Sequence, residues 1–149
     1  MLASPVAYAG EPLDPLEFFE GRTETQAVVK VMLRKPYRTQ SIGHGQIGAD
    51  DTLTLIQKVK DEGKPAHERR WKVRRSGAER FTASMTDAVG PVTIERVGPQ
   101  YRFRFKMKGN LQVEQMLTPN AGGRSAKSAI KVRRMGVVVA TTNGTIRKV

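Results

Sequence analysis

The sequence predicts an all-β protein, an antiparallel up-and-down β-barrel of about ten strands with one short helix near its start. Strict alternation of apolar and charged residues is the first observation, and Tyr101-Arg102-Phe103-Arg104-Phe105-Lys106-Met107-Lys108 is its clearest instance. Successive side chains of a strand point to opposite faces, so this segment has an oily face and a cationic one. The second observation is punctuation at short intervals by Asp61-Glu62-Gly63-Lys64-Pro65, Ser76-Gly77, Gly98-Pro99 and Gly109-Asn110, the last of which reads as a two-residue hairpin turn. The third concerns what such intervals leave out. Connections this short hold no crossover helix, so strands adjacent in sequence pair antiparallel, and closing the sheet removes its exposed edges.

Asp14-Pro15-Leu16-Glu17 opens the helix, with an N-cap acid, a proline at the first helical position and Glu three residues after the cap. Leu16, Phe18 and Phe19 give it an apolar side and Gly21 stops it, so it is expected to lie as a lid over one end of the barrel. Strand-like runs then follow near 24–33, 38–47, 52–60, 67–75, 80–86, 91–97, 101–108, 111–118, 126–135 and 137–148. Asn143-Gly144 is expected to split the last run into a hairpin, and Thr118 to Ser125, rich in glycine and containing Pro119, to form the one long loop.

Composition fits a single compact domain. A chain of 149 residues with 38% hydrophobic content is long enough to bury a substantial core. A formal charge of +12 and a pI near 10.5 imply attraction to an anionic partner, whether nucleic acid, an acidic membrane or envelope surface, or an acidic ligand. The absence of cysteine from the sequence excludes disulfides, thiolate metal sites and lipid attachment through cysteine. Ala7-Tyr8-Ala9 has the small-x-small pattern of a signal-peptidase site, so residues 1–9 read as the remnant of an export signal or a disordered terminus, with residues 10–149 forming the domain. Export to the periplasm follows from the first reading. No run approaches the ~20 apolar residues of a membrane-spanning helix.

Strand parity sorts the side chains. Phe81, Ala83, Met85, Val92, Ile94, Tyr101, Phe103, Phe105, Met107, Leu111, Val113 and Leu117 form an inward set, and Trp71 joins it with Val73. From this set Trp71, Phe81, Met85, Tyr101, Phe103, Phe105 and Met107 are the expected walls of any ligand cavity, although the same side chains equally suit a filled core. The outward set carries Arg102, Arg104, Lys106, Lys131 and Arg133, the expected contacts to an anionic surface, or simply a solvated wall that discourages edge pairing.

No motif specifies a reaction, and no catalytic residue, cofactor or metal ligand is assigned. Gly43-His44-Gly45-Gln46-Ile47-Gly48 matches G-x-G-x-x-G, but that pattern cradles a pyrophosphate only when a helix follows, and Ala49-Asp50-Asp51-Thr52-Leu53 reads as a turn and a strand. A glycine-rich strand that bends is the expectation there. His44 and His67 lack companions for a metal site, and His44 beside Ser41 or Asp87 is the arrangement an enzyme acting on a lipid or acyl substrate would need. Asp50, Asp51 and Asp87 read as turn residues. Trp71 within Arg69-Arg70-Trp71-Lys72-Val73-Arg74-Arg75 has the composition of a nucleic-acid reader, yet alternation turns the indole to the apolar face.

Leu13-Asp14-Pro15-Leu16-Glu17-Phe18-Phe19-Glu20-Gly21-Arg22, Gly48 with Asp50-Asp51-Thr52-Leu53-Thr54-Leu55, Arg70-Trp71-Lys72-Val73 and Thr86-Asp87-Ala88-Val89-Gly90 resemble a bacterial family known as a domain of unknown function. Its members look like lipocalin-type, or calycin, barrels, and many are exported lipoproteins. The resemblance spans Leu13 to Gly90 and thins afterwards, where Leu111 to Ser125 replaces an aromatic, acidic stretch usual in the family. This chain also lacks a lipobox cysteine. The resemblance implies a lipocalin-like barrel whose interior holds a small apolar or amphipathic ligand. The expected function is therefore non-enzymatic ligand binding by an envelope protein. The alternatives are polyanion or nucleic-acid binding through the basic outer face, and an enzyme acting on a lipid or acyl substrate.

Overall fold

A computed structural model describes residues 14–149, so the Ala7-Tyr8-Ala9 boundary and Leu13 lie outside the described residues. Helix α1 (Pro15–Phe19) begins as its sequence dictates: Asp14 Oδ1 accepts the Leu16 N–H at 2.9 Å, and Pro15 occupies the first turn. Arg75 donates to the other carboxylate oxygen of Asp14 at 2.7 Å, which ties the cap to the barrel wall. Gly21, at φ 85°, then swings the chain out of the helix.

Ten strands follow: β1 (Gly21–Val31), β2 (Tyr37–Ile47), β3 (Leu53–Asp61), β4 (His67–Gly77), β5 (Arg80–Met85), β6 (Val92–Val97), β7 (Gln100–Met107), β8 (Leu111–Pro119), β9 (Ser125–Arg134) and β10 (Val137–Lys148). Each pairs antiparallel with its neighbour in sequence, and β1 pairs with β10 from Thr23↔Lys148 to Val31↔Ala140, so the barrel closes without an edge. The architecture is the one the alternation predicts.

Several local expectations are corrected. Asn143-Gly144 does not turn: Asn143 pairs with Val28 on one side and Ala129 on the other, and β10 runs straight through. Pairing along both edges overrides a local turn preference. Gly144 is there for space, because a Cβ at that position would lie 2.2 Å from the Gln26 carbonyl oxygen. Ser76 and Gly77 stay in β4, a register shift between Arg75 and Gly77 absorbs the irregularity, and the reversal falls on Ala78 and Glu79. Lys108 joins Gly109-Asn110 in the β7–β8 turn, since Met107 pairs with Leu111. The long loop shrinks to Asn120–Arg124 because β8 extends through Pro119. Leu33 and Met135, read as strand ends, sit instead in the β1–β2 and β9–β10 turns with φ of 65° and 52°.

An up-and-down barrel has two distinct ends. The β2–β3, β4–β5, β6–β7 and β8–β9 connections gather at one, together with α1, while β1–β2, β3–β4, β5–β6, β7–β8 and β9–β10 gather at the other. Leu16, Phe18 and Phe19 plug the first end and join one buried cluster with Leu53, Leu55, Trp71, Phe81, Ile94, Tyr101, Phe103, Leu117 and Ile146. Lys148, at the end of β10, fastens the lid by donating to the carbonyls of Glu17, Phe18 and Glu20 at 2.8, 3.0 and 3.0 Å. Gly45 lets the lid sit close, since a Cβ there would lie 1.8 Å from the Phe19 carbonyl oxygen.

Candidate functional site: the open mouth of the barrel

Trp71 marks the depth at which packing changes. It is buried, its indole N–H donates to Gln57 Oε1 at 2.9 Å, and its ring meets Phe103 and Phe105 edge-on at 6.2 and 6.3 Å. Between this floor and the lid lies a partly open cavity of about 50 Å³ lined by Phe19, Leu55, Trp71, Phe103, Gln115 and Ile146 among others. That space is too small for an amphiphile, and its lining is mostly apolar.

On the far side of Trp71 Val59 and Val113 stay buried, but most inward side chains are no longer sealed. Phe105, Met107, Ile130, Val132, Ala140, Thr142, Val29, Val31, Tyr37 and Thr39 all lie on the interior face by strand parity, yet each is only half-buried. An inward side chain that stays accessible means that solvent enters from that end. Eight strands give a barrel just wide enough to be filled by side chains or to hold one small ligand, and ten strands are wider.

The mouth has two unlike walls. Register places Phe105 opposite Val113, Val113 opposite Val132, Val132 opposite Ala140 and Ala140 opposite Val31, a continuous apolar row from β7 round to β1. The facing arc, β2 to β4, carries polar groups around the buried Val59: Thr39 donates to Asp61 Oδ1 at 2.7 Å, and Arg69 lies beside Gln57 and pairs with Asp87 at 3.1 Å. Tyr37 stands where the two arcs meet. Burial, reinforced by the Asp61 carboxylate, raises its phenol above the usual tyrosine range, so it is a neutral donor at physiological pH.

Trp71, Phe103, Phe105 and Met107, expected as cavity walls, form this floor and apolar arc. Phe81, Met85 and Tyr101 are buried in the packing: Phe81 and Tyr101 meet at 6.1 Å, and the Arg75 guanidinium covers the Phe81 ring at 4.9 Å. The polar arc, Tyr37, Asp61 and Arg69, was not singled out from sequence. Its signal was parity, since Tyr37, Thr39 and Ser41 share the face of the space-limited Gly43.

Of the outer basic residues expected at an anionic surface, Arg102 and Arg104 are held in ion pairs. Arg102 and Arg104 both bond Glu95, the latter at 3.2 Å, and the Arg102 bond holds the Glu95 carboxyl below the usual range. Glu114 lies in register between Arg104 and Lys131. Lys106 is exposed and Arg133 half-buried, each flanking Gln112. His44 is exposed on the outer face while Ser41 points inward, so the two do not meet. Asp50 accepts from the Thr52 N–H and hydroxyl at 3.2 and 3.1 Å, the turn role its sequence suggested.

A family profile described as a protein of unknown function, DUF3833, matches residues 4–118, beyond the Leu13–Gly90 span over which the resemblance is legible by eye. No curated protein matches the chain. Among solved structures, an S-type phycobiliprotein lyase from Guillardia theta superposes with a TM-score of 0.69 at 8% identity, covering 100% of this chain and 98% of that one. A protein of unknown function from the DUF3598 family of Nostoc punctiforme superposes with a TM-score of 0.65 at 14% identity. The alignment covers 93% of this chain but 51% of that protein, so this chain spans about half its length. At these identities the likeness is one of fold, a shared lipocalin-like barrel.

Proposed function

The chain belongs to the DUF3833 family, and from that premise we propose that it binds a small amphipathic molecule in the open mouth of its barrel without transforming it. One observation carries the reading. Most side chains that face the interior beyond Trp71 are accessible, Val59 and Val113 excepted, and they divide into an apolar arc and a polar arc. A ligand with an apolar tail against Phe105, Val132 and Ile130 and a polar head toward Tyr37 and Arg69 satisfies both. A wholly apolar ligand would desolvate Arg69 and Asp61 without replacing their water, which costs binding energy. The pattern Ala7-Tyr8-Ala9 supports placing this binding in the cell envelope, and N-terminal sequencing of protein recovered from a periplasmic extract tests that placement.

The polyanion alternative draws less support, because Arg102 and Arg104 are shared by Glu95. The enzyme alternative draws less again, with His44 and Ser41 on opposite faces of β2. Native mass spectrometry tests the proposal: protein from a bacterial host is expected to carry an amphiphile that is retained under gentle conditions and lost on denaturation, or to take up added dodecanoate. Phe105→Asp is expected to abolish the adduct. Bare protein that also ignores dodecanoate would overturn the reading.

A further inference from the structure

Leu33 and Met135 are the most exposed large apolar side chains among the described residues, at 98% and 89%. Each also occupies a backbone conformation that bulky residues avoid, with φ of 65° and 52°. Elsewhere this chain fills its left-handed turn positions with Gly63, Gly98, Gly109, Asn110 or Asp51, the residues that tolerate them. Neither exposure nor strain contributes to folding, so the two side chains point to a role at the surface.

Their surroundings say which role. β1 and β10 are neighbours, and the Met32 N–H donates to the Val139 carbonyl at 2.9 Å, so the two turns stand side by side at the open end. Met32, Val137 and Val138 are also exposed there. The segments Lys30-Val31-Met32-Leu33-Arg34-Lys35 and Lys131-Val132-Arg133-Arg134-Met135 contain no acidic residue, and none of their cations forms an ion pair among the described residues. Exposed apolar tips beside cations that form no ion pair among the described residues match the two layers of an anionic bilayer surface, acyl chains beneath acidic headgroups. The barrel wall excludes deeper insertion. Its outer face is charged and its interior apolar, the reverse of a membrane-spanning barrel.

We propose that the open end docks onto an anionic lipid bilayer through Leu33 and Met135, with Lys30, Arg34, Lys35, Arg133 and Arg134 meeting the headgroups. Docked this way, the mouth faces the lipid, although the docking itself does not depend on the ligand reading. The sequence placed anionic contact on the β7 and β9 wall, and one of those residues, Arg133, also stands at this end beside the apolar tips.

Sedimentation with vesicles of phosphatidylcholine, with and without phosphatidylglycerol, tests this on the full chain. Wild type is expected to bind the anionic vesicles alone, and less as salt rises. The double variant Leu33→Asn with Met135→Gly is expected to bind about tenfold more weakly while melting at an equal or higher temperature, because both substitutions suit a positive φ. A purely structural role would lower the melting temperature. Equal binding to both vesicle types, no binding by wild type, or undiminished binding by the variant would each overturn the proposal. So would a wild-type dimer in light scattering that the variant abolishes, since a second copy would then cover the tips. Dodecanoate uptake by the variant, read by native mass spectrometry, separates failure of docking from failure of the ligand reading.

Discussion

Single residues decide how the two ends of this barrel differ. Gly45 faces inward under the lid, and the Phe19 carbonyl occupies the place of its missing side chain at 1.8 Å. A backbone atom cannot rotate away, so Gly45→Ala is expected to lift α1 and destabilise the fold by about 1–3 kcal/mol, measured by denaturant unfolding. Ala at Gly63, whose missing Cβ would point into open space, serves as the comparison for conformational strain alone. Glu95 sets a pH dependence. Its folded-state pKa is depressed, first by the Arg102 hydrogen bond and then by the Arg102 and Arg104 charges. A depressed carboxylate contributes stability above its unfolded value of about 4.3, and loses it as pH falls through the folded value. The melting-temperature gap between wild type and Glu95→Gln is therefore expected to be full at neutral pH and to close in the acid range below about pH 4. A gap indifferent to pH would contradict the assignment.

At the scale of elements, the lid is held by its own cap and by a distant strand. Asp14→Ala removes the Leu16 N–H acceptor and the Arg75 partner together, and is expected to cost about 1 kcal/mol or slightly more. If the lid matters only for the packed end, dodecanoate binding at the mouth is unchanged by this substitution. The helix, its cap and its place over one end were legible because Asp14-Pro15 and Glu17 are local signals. Strands were legible for the same reason, period two being written in the chain. Turn positions were less so. Leu33 and Met135 look like strand residues because they are apolar, and only the pairing of β10 with β1 and with β9 shows the strands ending before them. Asn143-Gly144 looks like a turn, and only the partners on both sides hold it straight. The two arcs of the mouth were half legible. Parity finds Phe105 and Met107, but which inward residues are sealed depends on where the lid and Trp71 sit, and that is a tertiary fact.

For the molecule as a whole, closure joins the first strand to the last, with Thr23 opposite Lys148. Contacts this distant in sequence are formed late and slowly, so folding is expected on the millisecond-to-second scale typical of β-barrels. The closed wall then separates a packed, lidded half from an accessible half, and Trp71, the sole tryptophan, stands at the boundary. That position makes it a reporter of the central claim. The decisive measurement is a titration of Trp71 emission with dodecanoate, comparing wild type with Thr142→Phe, which fills the mouth from β10. A saturable change in wild type that disappears in the filled variant, with both proteins melting cooperatively, is the predicted result. An emission unaltered by dodecanoate in wild type, or altered equally in both, would contradict a ligand-binding mouth and leave the half-buried arc as unfilled scaffold.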